Sequence, residues 1–89
     1  MSYTIRLEGR AERQLKALPD VVLRRVDAKL RALAVVPRPK GVKKLQGREG
    51  EGWRVRVGDY RILYTIDDGE RLVSVYRIDL RARVYRRER

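Results

Sequence analysis

Between Trp53 and Ile66 the chain alternates apolar and polar residues with a period of two on either side of Gly58-Asp59. This predicts a half-buried β-hairpin with a tight turn, and glycine at the first turn position suits type II′. A two-residue turn sets the register. Val57 falls opposite Tyr60, Arg56 opposite Arg61, Val55 opposite Ile62, Arg54 opposite Leu63 and Trp53 opposite Tyr64. Successive side chains point to opposite faces, so Trp53, Val55, Val57, Tyr60, Ile62 and Tyr64 share one face. Arg54, Arg56 and Arg61 share the other.

The rest of the chain can be arranged around this hairpin. Ser2 to Leu7 alternates, with Tyr3, Ile5 and Leu7 on one side, and reads as a short strand. From Gly9 to Leu18 the apolar residues Ala11, Leu15 and Leu18 have helical spacing, and Pro19 closes the segment. Asp20 is the expected N-cap of a second helix, whose Val22, Val26, Leu30 and Leu33 form an apolar stripe ended by Pro37 and Pro39. Pro37 to Gly52 is irregular, holding two of the three prolines and four of the seven glycines. Within it Val42-Lys43-Lys44-Leu45 reads as a short extended piece. Asp68-Gly69 signals another turn and Arg71 to Ile78 a further strand, with Val73 and Val75 facing the helices beside Ile62 and Tyr64. Asp79 to Arg89 reads as a polar, basic tail. The predicted order is β-α-α-β-β-β over a single domain, residues 1–89. It is an α+β fold with one antiparallel sheet, a helical hairpin on one face and an arginine-bearing face left open.

Charge adds a partner class to this picture. The net charge is +11, and the 23 basic residues comprise 18 arginines and 5 lysines. Such a balance points to nucleic acid, an anionic membrane or an acidic protein. Like charges directly opposite one another across two strands are destabilising, so Arg56 facing Arg61 is a costly choice. Three guanidinium groups on one sheet face look prepared for a polyanion, because the planar fork matches phosphate bidentately. An ordinary solvated face in an arginine-rich chain is the competing reading, as a solvated loop is for Lys43 and Lys44.

Cysteine and histidine are both absent. That removes a disulfide framework, a thiol nucleophile, a Cys/His zinc site, a Ser-His-Asp triad and a two-histidine ribonuclease site. No signal-peptide h-region or span-length apolar run is present, so a soluble cytoplasmic protein is expected. A membrane role is disfavoured because the basic residues are not paired with an exposed apolar helix face.

The chain resembles the RelE/ParE superfamily of toxins from type II toxin–antitoxin systems. The resemblance rests on Lys43-Lys44-Leu45-Gln46-Gly47, on Trp53-Arg54-Val55-Arg56-Val57-Gly58-Asp59-Tyr60-Arg61-Ile62-Leu63-Tyr64, and on Leu80-Arg81-Ala82-Arg83-Val84-Tyr85-Arg86, in that order. It implies a RelE-branch mRNA interferase, a ribosome-dependent endoribonuclease silenced by a cognate acidic antitoxin. By residue-wise transfer Arg61 would hold the scissile phosphate. Arg81 would stabilise or protonate the leaving 5′-oxygen, and Tyr85 would orient or help deprotonate the attacking 2′-hydroxyl. Arg54 and Arg56 would lie near nucleophile and phosphate, while Lys43, Lys44, Arg83 and Arg86 would bind RNA. Cleavage through a 2′,3′-cyclic phosphate implies no metal and no cofactor.

One element of the family pattern is missing. Where members of the branch carry lysines this chain has Arg54 and Arg56, and where others carry histidine it has Leu80. An arginine, with a pKa above about 12, is a poor proton acceptor. Tyr85, flanked by Arg81 and Arg83, becomes the expected base, because nearby positive charge favours the phenolate. The alternatives are a ParE-like DNA gyrase inhibitor with no nuclease activity, and a non-catalytic nucleic-acid-binding module using the same basic face.

Overall fold

Strand β1 (Thr4–Leu7) leads into helices α1 (Gly9–Lys16) and α2 (Asp20–Val35). Strand β2 (Lys43–Lys44), a 3-10 turn over Gly47–Glu49, and strands β3 (Trp53–Val57), β4 (Tyr60–Asp67) and β5 (Leu72–Leu80) follow. The structure is a computed structural model and describes residues 2–80. The five strands make one sheet in the order β1-β5-β4-β3-β2.

The alternating pattern becomes the core directly. Val55, Val57, Ile62, Tyr64, Val73, Val75 and Ile78 form the inner face of the sheet. Ala11 of α1 and Val26, Leu30 and Leu33 of α2 are buried against that face. Both helices are therefore amphipathic elements closing one side of the sheet, as their apolar spacing predicts. A hydrogen bond ties α1 to the sheet, with the Ile78 amide donating to Gln14 Oε1 at 2.7 Å. Among the described residues no helix is long and apolar enough to cross a membrane.

Three expectations are corrected. The sheet is mixed: β1 runs parallel to β5, with Thr4 opposite Leu72 and Leu7 opposite Val75, while the other pairings are antiparallel. Tight-turn signals reveal only strands joined by hairpins, and β1 is separated from the rest by two helices, a connection that permits parallel pairing. Asp20 is the first residue of α2 and Pro19 the cap position. There the carboxylate favours the positive end of the helix dipole, and it makes no capping hydrogen bond. Finally, the polar, basic composition from Asp79 onward predicts a tail, whereas β5 runs on through Asp79 and Leu80 because Asp79 pairs with Arg61 and Leu80 with Tyr60 on β4.

One further departure matters for the site. Leu63 pairs with Arg77 and Tyr64 with Val75, so Tyr76 is the extra residue of a β-bulge. Tyr76 and Arg77 are thus both placed on the face away from the helices.

Candidate functional site

The turn at Gly58-Asp59 closes the β3–β4 hairpin with Gly58 at a φ of +60°, a conformation that glycine adopts without strain. The register is the one its spacing predicts: Arg56 opposite Arg61, Arg54 opposite Leu63, Trp53 opposite Tyr64. Carried onto the neighbouring strands, it gives two transverse rows on the face away from the helices. One row reads Lys43, Arg54, Leu63, Arg77 across β2, β3, β4 and β5. The other reads Arg56, Arg61, Asp79 across β3, β4 and β5. Strands lie about 4.8 Å apart, and residues two apart on a strand are separated by about 6.8 Å. Four arginines and a lysine therefore share a patch that a few nucleotides would cover.

Arg61 is not a freely solvated side chain. Its Nε donates to Asp79 Oδ1 at 3.1 Å, with only 17% of the Arg61 side chain and 12% of the Asp79 side chain exposed. Asp79 Oδ2 lies 2.6 Å from Arg77 Nε. That nitrogen is buried without an aligned hydrogen-bond acceptor among the described residues, so the contact is a charge pairing in which the N–H points off the oxygen. Neither Asp79 nor Arg77 was singled out from the sequence. The available signal was the apolar spacing Val73, Val75, Ile78, which changes phase by one residue and so places both charged groups outward.

This face is also less open than the sequence implies, because the segment after β2 folds across part of it. The Tyr76 hydroxyl donates to the Glu51 carbonyl at 2.7 Å and accepts from the Glu51 amide at 3.2 Å. Leu45 and Leu63 are buried although they lie outside the main core cluster. Lys43 Nζ lies 3.4 Å from Glu49 Oε2. The Gln46 amide bonded to Glu49, and then Lys43, hold that carboxyl below the usual range. Lys44 departs from the group: it pairs with Trp53, and its Nζ sits 4.9 Å from the Trp53 ring centroid, where Arg38 also lies at 5.3 Å. Lys43 thus joins Arg54, Arg56 and Arg61 on one face, and Lys44 stands on the other.

Beside the patch, where β3 runs on past the short β2, is an open cleft of about 450 Å³ lined by Lys29, Lys40, Gly41, Lys43, Arg54, Val55 and Arg56. Among the described residues its lining contains no carboxylate, so the positive field continues from the sheet face towards α2. Arg81, Arg83, Tyr85 and Arg86 lie outside the described residues. What the described part offers is several fixed donors for oxyanions, with the electrostatic preorganisation that phosphoryl chemistry uses.

The chain is a helix-backed five-strand α+β domain with a cationic outer face. It belongs to the family described as ParE toxin of type II toxin–antitoxin system, parDE, whose model matches residues 5–85. Toxin RelG of Mycobacterium tuberculosis is 39% identical over 98% of this chain and 100% of its own length. Among solved structures, the M. tuberculosis RelBE2 toxin–antitoxin complex contains a chain matched at 33% identity and a TM-score of 0.80, covering 91% of this chain and 100% of that one. The archaeal RelE–RelB complex from Pyrococcus horikoshii OT3 matches at 26% identity and a TM-score of 0.80, covering 93% and 99%. The protein is a RelE-family toxin of a toxin–antitoxin system.

Proposed function

We propose that this toxin is a ribosome-dependent mRNA endoribonuclease acting in the cytoplasm on the message in the ribosomal A site. The observation that carries the reading is Arg61, held on a strand by Asp79 amid Arg54, Arg56 and Lys43. Arg61 binds the scissile phosphodiester through its outer guanidinium nitrogens and stabilises the charge that builds on it as the 2′-oxygen attacks. The 2′-oxygen forms the new bond to phosphorus, the 5′-oxygen leaves, and a 2′,3′-cyclic phosphate and a 5′-hydroxyl result. Tyr85, as the phenolate, takes the 2′-hydroxyl proton, and the leaving 5′-oxygen, stabilised by Arg81, takes its proton from water. Arg54 and Arg56 neutralise the phosphate from the β3 side, and Lys43, Arg83 and Arg86 hold the flanking backbone, whereas Lys44, turned to the other face over Trp53, takes no part. Two features support this reading over gyrase inhibition: the RelG and RelE names of the similar proteins, and the arginine arrangement.

The similar structures from M. tuberculosis and P. horikoshii are toxin–antitoxin complexes. We assign this chain a cognate acidic antitoxin as its silencing partner, matched to its positive charge.

The test is a cleavage assay of purified protein on a defined mRNA, with and without programmed ribosomes, mapping 5′ ends. Ribosome-dependent cuts are expected, and Arg61→Ala should abolish them while leaving the fold intact. Absence of cutting by a folded parent protein refutes the nuclease reading. Equal cutting of free RNA refutes the A-site part alone.

A further inference from the structure

The role of Asp79 and Arg77 follows from which atoms they engage. Asp79 contacts both Arg61 and Arg77 through their Nε atoms, at 3.1 Å and 2.6 Å. A guanidinium has five N–H donors, one on Nε and four on the two terminal nitrogens. A carboxylate that engages Nε leaves the terminal fork unspent, and that fork is the part which matches phosphate. Among the described residues Arg61 has Asp79 as its only hydrogen-bond partner. One carboxylate between two guanidiniums also leaves a net positive charge in a region where the three side chains are only 12–27% exposed. A stabilising ion pair would need one arginine. A second one crowded onto the same carboxylate, with its N–H off line, adds charge without completing the hydrogen bonding.

The bulge makes this arrangement possible. With Tyr76 as the extra residue, Arg77 and Asp79 stand on the outer face two positions apart, Asp79 directly across from Arg61. Arg77 belongs to the same transverse row as Lys43 and Arg54, and Arg61 to the adjacent one. The two forks therefore address successive positions along a bound strand.

We infer that Arg77 is a second phosphate-binding arginine and Asp79 the positioning residue that holds Arg61 and Arg77 as a pair. Arg61 takes one phosphodiester of a single-stranded RNA and Arg77 a neighbouring one. The assignment rests on the nuclease reading for its ligand class. Asp79 does not touch RNA and acts through the two arginines.

The test separates this inference from the nuclease reading by measuring binding without cleavage. The probe is a short single-stranded RNA with 2′-O-methyl on every sugar, which cannot form the attacking oxyanion. Its affinity is measured over a range of salt concentrations for the parent, Arg77→Gln and Arg77→Lys. Each lost phosphate contact on a single strand flattens the plot of log affinity against log salt by about 0.7. Arg77→Gln should show that change, and Arg77→Lys should retain the parent slope. An unchanged slope in Arg77→Gln overturns the assignment. Should Arg77→Gln fail to fold, the Nε–Hε NMR signals of Arg61 and Arg77 in the parent protein replace it. Both signals should move on adding the same RNA, and a stationary Arg77 signal overturns the assignment. For Asp79, Asp79→Asn should lower kcat on programmed ribosomes roughly tenfold or more with KM little changed, because misplacing a reacting group by about 1 Å is enough for such losses. An Asp79→Asn variant that cleaves as fast as the parent refutes the positioning role. A folded parent that binds the probe but never cleaves RNA sinks the nuclease reading and leaves the Arg77 slope still decisive.

Discussion

Arg56 sits directly opposite Arg61 across the hairpin. A two-residue turn makes Val57 and Tyr60 the hydrogen-bonded pair, so Arg56 and Arg61 form a non-hydrogen-bonded pair, with Cα atoms about 4.5 Å apart. Asp79 on the far flank of Arg61 offsets part of the repulsion, but Arg77 shares that carboxylate. Replacing Arg56 with glutamate turns a repulsive cross-strand pair into an attractive one. Cross-strand charge pairs contribute up to about 1 kcal/mol, and solvent at the exposed Arg56 screens this, so the gain should be about 0.5–1 kcal/mol. For a domain of this length that raises Tm by about 2–8 °C. The assay is thermal unfolding followed by circular dichroism, comparing parent, Arg56→Gln and Arg56→Glu at low and high salt. Tm should rise in that order at low salt, and the spread should collapse at ionic strengths where the Debye length falls to about 3 Å. The same glutamate should weaken RNA binding. If Arg56→Glu melts no higher than the parent at low salt, Asp79 already cancels the repulsion, and the idea that this pairing trades stability for function is wrong.

Gly52 has a φ of +87°, and a Cβ there would overlap the Tyr64 carbonyl oxygen. Gly52→Ala should therefore cost about 2–4 kcal/mol, read as a lowered urea midpoint with an unchanged slope; a midpoint within error of the parent would refute that. The Tyr64 hydroxyl donates to the Pro37 carbonyl at 2.7 Å, and burial pushes its pKa up from 10.0 to about 12. A raised folded-state pKa gives stability that is fully present below pH 10 and lost as pH rises towards 12. Tyr64→Phe should be less stable by about 1 kcal/mol at neutral pH, and its deficit should shrink across that alkaline window in urea unfolding series; a deficit that stays constant counts against the assignment.

The hairpin register was legible because a two-residue turn at Gly58-Asp59 leaves one way to pair the flanking residues, and alternation then decides which face each side chain takes. The helix stripes were legible for the same reason: Val26, Leu30 and Leu33 recur at helical spacing and are buried. What the sequence withheld was non-local. The partner of β1 lies 68 residues further on, at Leu72 to Val75, and no local signal names it. The fold of the Glu49–Gly52 segment over the outer face depends on a hydroxyl on β5 reaching the Glu51 backbone. Asp79 looked like part of a basic tail because charge dominates the composition there. Its pairing with Arg61 appears only once β5 is laid beside β4.

The bulge at Tyr76 bears on how this strand tolerates changes in length. Without that residue, the chain reads Val73, Ser74, Val75, Arg77, Ile78, Asp79 in unbroken alternation, every apolar side chain inward and every polar one outward. Tyr76 is thus a one-residue insertion that the core pattern does not need. Deleting it should leave the phase of the inner face intact, whereas deleting Val75 or Ile78 would remove an inner-face residue itself. What the shortened strand loses is the hydroxyl that fastens Glu51. The same insertion lets β5 advance one residue further than β4 over the same span, about 3.4 Å of chain. Loss of Tyr76 should therefore leave Arg77 opposite Leu63 and Asp79 opposite Arg61, so that strand length at this one position can change without moving either the outer charges or the core.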